Sequence, residues 1–105
     1  MVAVGERVVA VGTELLAATA PRGFPYISSR AEAQIAGALV LEMIADRVSD
    51  VDAVVIAAYG DPGLKAAREL FDLPIVGMAE AAMLTACMLG ERFSLVTFSE
   101  SLVPW

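Results

Sequence analysis

The 105-residue chain contains no histidine, a single cysteine (Cys87) and a single lysine (Lys65). Each shortage excludes something. Without imidazole there is no Ser-His or Cys-His pair, and the commonest zinc ligand is missing. One cysteine rules out an internal disulfide framework and any multi-cysteine metal site. With 7 basic against 13 acidic residues the formal charge is −6. A phosphate-binding face needs clustered Lys and Arg, so no nucleic-acid partner is expected. No apolar run approaches the ~18–20 residues of a membrane span, and residues 1–4 lead straight into Gly5-Glu6-Arg7 rather than a signal-like apolar core. Neither Gly-x-Gly-x-x-Gly nor Gly-Lys-Ser/Thr occurs, which leaves dinucleotide and NTP binding without support. These absences describe a soluble, reduced, cytoplasmic protein with no membrane partner.

What is present in excess is apolar residues, at 58% of the chain. Soluble domains average about 45–50%, and a short chain has the most surface to cover per residue. Alanine supplies 19 of these residues and suits helices of either face. A polypeptide that packs against another would also carry such a surplus.

No linker, repeat or low-complexity stretch divides the chain, so residues 1–105 read as one domain. Ser29-Arg30-Ala31-Glu32 has the form of a capping box. Ile35, Leu39, Val40, Met43 and Ile44 follow at helical spacing, predicting a helix to about Val48. Residues 53–58, Ala-Val-Val-Ile-Ala-Ala, read as a strand buried on both faces. Asp61-Pro62 then predicts a second helix, with Asp61 as N-cap and Pro62 at the first helical position, running to about Leu70. Residues 73–78 predict another strand. Glu80 opens a third helix through Leu89, closed by Gly90 in a left-handed conformation. Residues 93–97 and, near the start, 13–18 read as further strands, while 1–11 is ambiguous between helix and strand. Strand-helix alternation at this spacing implies parallel pairing with right-handed crossovers, a three-layer α/β sheet.

Ligands of such sheets sit beyond the carboxyl ends of the strands. That rim comprises residues 20–29, 59–63, 77–80 and 97–101. Tyr59-Gly60-Asp61-Pro62-Gly63 is the most informative segment, a sharp strand-to-helix turn whose helix-start amides attract a small anion. Asp61 reads either as a cap for its own helix or as part of that site. The loop 21–29, with two prolines, two aromatics and two hydroxyls, either covers a pocket or is a packed connector. Thr97 and Ser99 at a strand end can orient a carboxylate. Cys87 lies late in an apolar helix, far from any helix N-terminus that would activate a thiol, and reads as inert core. Met78, Met83 and Met88 read as core filling.

Three segments together carry a family resemblance. They are Val55-Ile56-Ala57-Ala58-Tyr59-Gly60-Asp61-Pro62-Gly63-Leu64, Pro74-Ile75-Val76-Gly77-Met78-Ala79-Glu80-Ala81-Ala82-Met83 and Gly90-Glu91-Arg92-Phe93-Ser94-Leu95-Val96-Thr97. In order and spacing the chain resembles the aspartate/glutamate/hydantoin racemase superfamily, nearest its hydantoin and allantoin racemase branch, from about Thr13 to Trp105. The resemblance implies a flavodoxin-like domain that is one half of a two-domain, cofactor-independent isomerase. It also implies two cysteines, one per domain, flanking the substrate's chiral carbon: one thiolate removes the proton and the other thiol returns it from the opposite face. Loop amides and hydroxyls hold the substrate's carboxylate or ring carbonyls.

The chain departs from that pattern in three ways. The position of the family's first cysteine is Ala58. No strand ending in an Asn-Pro-Asn-Thr type loop is present, and the chain has no asparagine. The second domain is missing, its start falling at about residues 99–105. Two expectations follow. The first is a racemase-family protein acting next to a carboxylate or hydantoin carbonyl, with Tyr59, Gly60, Asp61, Thr97, Ser99 and Ser28 contacting an amino acid, hydantoin or related carboxylate. If another base acts in place of a thiol at Ala58, Tyr59 and Asp61 are the nearest titratable candidates for it. The second is a non-catalytic α/β module that binds small carboxylates or completes itself by association, as a homo-oligomer or with a separate second domain.

Overall fold

A computed structural model of the chain describes residues 2–97. Its elements are α1 (Val2–Gly5), α2 (Arg30–Ala45), β1 (Val54–Ile56), α3 (Leu64–Leu70), β2 (Ile75–Gly77) and α4 (Met78–Leu89). The two strands pair in parallel, with Val54 opposite Ile75, Val55 opposite Val76 and Ile56 opposite Gly77. Parallel neighbours need a crossover, and α3 supplies it. The α/β class with a parallel sheet, read from the alternation of patterns, is what the chain forms.

Helix α2 begins where the capping box places it. Ser29 is extended, at φ −143° and ψ 159°, and its Oγ accepts the Glu32 N–H at 3.2 Å. The reciprocal arm reaches one residue further back. Glu32 Oε2 accepts the Ser28 N–H at 2.6 Å and the Ser28 O–H at 2.7 Å. Those bonds outweigh desolvation and hold the Glu32 carboxyl below its ordinary range. The helix stops at Ala45, and 46–50 continue as turns.

The core is small and one-sided. Ile44 from α2, Ile56 from β1, Leu64 and Ala67 from α3 and Ile75 from β2 form one buried cluster, flanked by Val40, Leu41, Val54, Phe71 and Leu73. Each buried branched side chain contributes about 1.5–3 kcal/mol of transfer free energy. Helices α2 and α3 touch through backbone: a Cβ at Gly63 would lie 2.8 Å from the Gly37 carbonyl oxygen. The opposite face of the sheet is open, with the paired Val55 and Val76 64% and 40% exposed. Residues 53–58 are thus a three-residue strand covered on one face, not a strand buried on both.

Other expectations are corrected in the same way. Residues 13–18 and 93–97 form no strand, because neither is hydrogen-bonded into the sheet. Leu15, Leu16, Phe93, Leu95 and Val96 all remain exposed. The ambiguous N-terminal stretch contributes only the single-turn helix α1. Ile35 is half exposed, off the buried stripe of α2. Gly90 is extended at φ −164° and not left-handed, with its N–H bonded to the Ala86 carbonyl. Cys87 is exposed, as is Met88, so neither fills the core. Among the described residues no helix is long and apolar enough to cross a membrane.

Candidate functional site

The loop between β1 and α3 is a sequence of two tight turns. Asp61 N–H donates to the Ala58 carbonyl at 2.9 Å, and Leu64 N–H donates to the Asp61 carbonyl at 3.1 Å. Asp61 sits at φ +49°, the left-handed region that Asp tolerates better than most residues. Pro62 is buried in the second turn. The helix itself starts at Leu64, with Gly63 as N-cap at φ 78°. Asp61 therefore does not cap α3.

Its carboxylate crosses instead to the β2–α4 junction. Oδ1 accepts the Ala79 N–H at 2.9 Å and Oδ2 accepts the Glu80 N–H at 2.7 Å. These are orphan donors of α4's first turn, which its own N-cap, Gly77, has no side chain to satisfy. Gly77 is the residue that permits the approach, since a Cβ there would collide with the Asp61 carboxyl. The start of α4, which Glu80 was expected to open, lies at Met78 and is capped by a residue 17 positions earlier in the chain. A negative charge at a helix N-terminus adds a favourable dipole interaction. Because that place is taken by Asp61, it is closed to a ligand's carboxylate.

A second tie reinforces the junction. Arg68 on α3 grips Glu80 bidentately, Nη1 to Oε1 at 3.0 Å and Nη2 to Oε2 at 2.6 Å, while its Nε donates to the Ile75 carbonyl at 2.9 Å. The pairing raises the Arg68 pKa and lowers that of Glu80. Both side chains are about 40% exposed (41% and 40%), so the pair adds geometry more than stability.

With Asp61 fully engaged, the groups left facing solvent at the end of β1 are Tyr59, 57% exposed, and the Gly60 backbone. Ala58 is half-buried at the strand end. Ser28 is also half-buried, and its hydroxyl hydrogen is committed to Glu32. Thr97 is exposed. Ser99 lies outside the described residues, as does the stretch expected to open a second domain. The free thiol, Cys87, is on α4 and not at a strand end.

Tyr59 also borders a cavity of about 210 Å³. Met83 and Ala86 of α4 line one side, and Phe93, Ser94 and Leu95 line another. Sequence reading assigned Met83 to the core and residues 93–95 to a strand. A larger cavity of about 410 Å³ lies between residues 17–22 and α2, where Arg22 and Glu42 pair at 2.9 Å. It contains none of the predicted site residues. The signal that sequence reasoning lacked was the Asp61 bridge, which spans two loops with no shared pattern.

The family described as Asp/Glu/Hydantoin racemase matches residues 3–105. The chain belongs to the Asp/Glu/hydantoin racemase family. Within it the chain sits with the hydantoin and allantoin racemases. A hydantoin racemase of Paenarthrobacter aurescens is 39% identical over 94 residues, covering 88% of this chain and 40% of that protein. One from Pseudomonas sp. (strain NS671) is 62% identical over 47 residues, covering 45% of this chain and 19% of that protein. The allantoin racemase from Klebsiella pneumoniae superposes with a TM-score of 0.76 at 49% identity, over 82% of this chain and 36% of that one. The chain thus spans less than half the length of each of these relatives.

Proposed function

We propose that this chain forms the substrate-binding half-site of a cofactor-independent racemase, acting at a carbon next to a carboxylate or a hydantoin carbonyl. One observation carries the reading: the Tyr59-Gly60 turn stands open at the carboxyl end of β1, clamped in place by the bonds of Asp61 to the first-turn amides of α4. Gly60 offers a backbone amide without a side chain in the way, and Tyr59 offers a phenol to a ring carbonyl or carboxylate. Thr97, Ser99 and Ser28 are the hydroxyls proposed to complete the contact. Asp61 acts on the substrate through the turn it holds. Its two oxygens already accept amide protons, so it is a positioning residue and not the base.

A second reading concerns chemistry. Ala58 occupies the place where the family resemblance puts a thiol, and Cys87 lies on α4. The chain alone is therefore proposed to bind without racemising, as a small-molecule-binding module of the cytoplasm. Packing against a second half, in the same polypeptide or a partner, is proposed to complete the site. That association is supported by α4, whose single charged residue, Glu80, is already paired. Leu84, Met88 and Leu89 on α4 are 61%, 79% and 83% exposed, and a helix apolar all round is normally buried.

Deuterium incorporation tests the reading. In D₂O with a 5-substituted hydantoin or an amino acid, the chain should add nothing to the spontaneous exchange at the chiral carbon. Ala58→Cys should accelerate it, since a thiol at that point has reach to the proton. Exchange by the unaltered chain would overturn the non-catalytic reading. Silence from A58C with bound ligand would remove position 58 from the mechanism. Light scattering at micromolar concentration should show association, and a strict monomer would contradict it.

A further inference from the structure

We infer that Arg68 is a positioning residue for the substrate: by fixing the first turn of α4 it fixes the Asp61 bridge, and so the Tyr59-Gly60 turn. The inference rests on the binding proposed at that turn and adds a residue that acts on it from a distance. Its basis is a closed ring of contacts. The turn reaches α4 through the Asp61 carboxylate, which accepts the Ala79 and Glu80 amides. The Glu80 side chain returns to α3 through the Arg68 guanidinium, at 3.0 and 2.6 Å. Helix α3 runs back into the same turn at Gly63, and its first residue, Leu64, stands beside Gly77 just before α4.

Packing alone does not hold this ring shut. Of the 12 residues of α4 only Ala79 is buried, so the placement of the helix start depends on its polar ties. Arg68 supplies the tie that also reaches the sheet. The Val54 N–H bonds to the Pro74 carbonyl, so the next carbonyl along the strand, that of Ile75, points away from β1. Arg68 Nε donates to it at 2.9 Å. One planar group thus joins α3, β2 and α4 through three N–H donors set in a single rigid fork. Positive charge is not the distinguishing property, because Lys65, one turn earlier on α3, also acts on the Glu80 charge. A lysine ammonium is a point charge on a flexible stem and cannot present that fork. The geometry of the guanidinium is what sets α4, and through Asp61 the turn.

Calorimetric titration of the full chain with 5-isobutylhydantoin, together with ligand-free ¹H–¹⁵N spectra, tests this on Arg68→Met, Arg68→Lys and Glu80→Ala. Fixing the backbone of one residue corresponds to about five- to thirtyfold in affinity. R68M should therefore bind at least about fivefold more weakly than the parent. Its ligand-free spectrum should show shifts at the Ala58, Tyr59 and Gly60 amides, to which Arg68 makes no bond. R68K should melt with the parent, because an exposed pair adds little stability, yet bind as weakly as R68M. If R68M loses helix by circular dichroism, E80A decides. It keeps the backbone amide that Asp61 accepts, removes the target of the fork, and should weaken binding to the same extent. Parent-like affinity in R68M and R68K, with shifts confined to α3 and α4, overturns the positioning role and leaves the Tyr59-Gly60 site standing. Affinity restored in full by R68K overturns it as well, since charge alone would then suffice. Failure of the parent chain to bind removes the site and with it the part of Arg68 in binding.

Discussion

Replacing Asp61 should cost far more stability than a residue in a surface turn normally does. Its carboxylate satisfies two first-turn amides of α4, at 2.9 and 2.7 Å. Loss of an N-cap costs about 0.5–2 kcal/mol, and loss of a negative charge at a helix start about 0.3–1 kcal/mol. Asp61→Ala also places alanine at φ +49°, where a residue without a compensating local bond pays about 1–2 kcal/mol. The terms overlap, and together they predict a loss of about 2–3 kcal/mol. Asp61→Asn keeps one acceptor and tolerates the left-handed backbone, so it should lose about 1 kcal/mol. Asp61→Gly frees the backbone but abandons both amides, and should fall between the two. Against a total of about 5–15 kcal/mol for a domain this size, D61A removes a large share. Each kcal/mol moves the midpoint by about 4–8 °C, so D61A should melt at least 8 °C lower. Urea denaturation followed by circular dichroism gives the order N, G, A. Equal stability of all three variants and the parent would refute the capping role. A D61G as stable as the parent would show that backbone strain, not the amide bonds, governs this turn.

Acid should destabilise the fold through two carboxylates. Arg68 holds Glu80, and the Ser28 bonds hold Glu32, below the ordinary glutamate value of 4.5. A folded pKa below the unfolded one means that the contribution is complete above 4.5 and is lost as pH falls through the folded values. The melting midpoint should therefore hold steady from neutrality down to about pH 5 and drop below it, less steeply in Arg68→Gln. A midpoint that rises on acidification through this range contradicts the assignment. Gly63→Ala should cost about 2 kcal/mol or more, since it combines φ +78° with a Cβ 2.8 Å from the Gly37 carbonyl. Urea titration checks it, and a neutral result would mean that α2 and α3 are less closely apposed than the contact requires.

Local signals in this chain were legible where a single residue type decides a local structure. Ser29 and Glu32 mark the start of α2 because a hydroxyl and a carboxylate three residues apart answer a local need for acceptors. The β1–α3–β2 unit was legible because Val54–Ile56 and Ile75–Gly77 flank a helical pattern of suitable length. The candidate turn at Tyr59-Gly60 was legible from its glycines and proline. What failed was non-local. Asp61 next to Pro62 looks like a cap for its own helix, and nothing in the sequence says that α4 sits closer to its oxygens. Residues 13–18 and 93–97 have strand composition, yet a strand exists only where a neighbour offers a ladder. Cys87 and Met88 have core chemistry on a helix whose outer face is uncovered. Composition reports what a residue prefers, and exposure depends on which polypeptide is beside it.

Substrate is proposed to bind at the turn at the end of β1. A ¹H–¹⁵N correlation spectrum of the labelled chain, titrated with 5-isobutylhydantoin, addresses it directly. Shifts should concentrate at the amides of Ala58, Tyr59 and Gly60, with smaller ones at Ser28, Ser94 and Thr97. Little should change at Ala79 and Glu80, whose N–H groups remain bonded to Asp61. Shifts gathered instead around Arg22, Glu42 and Arg47, at the larger cavity beside α2, would contradict it.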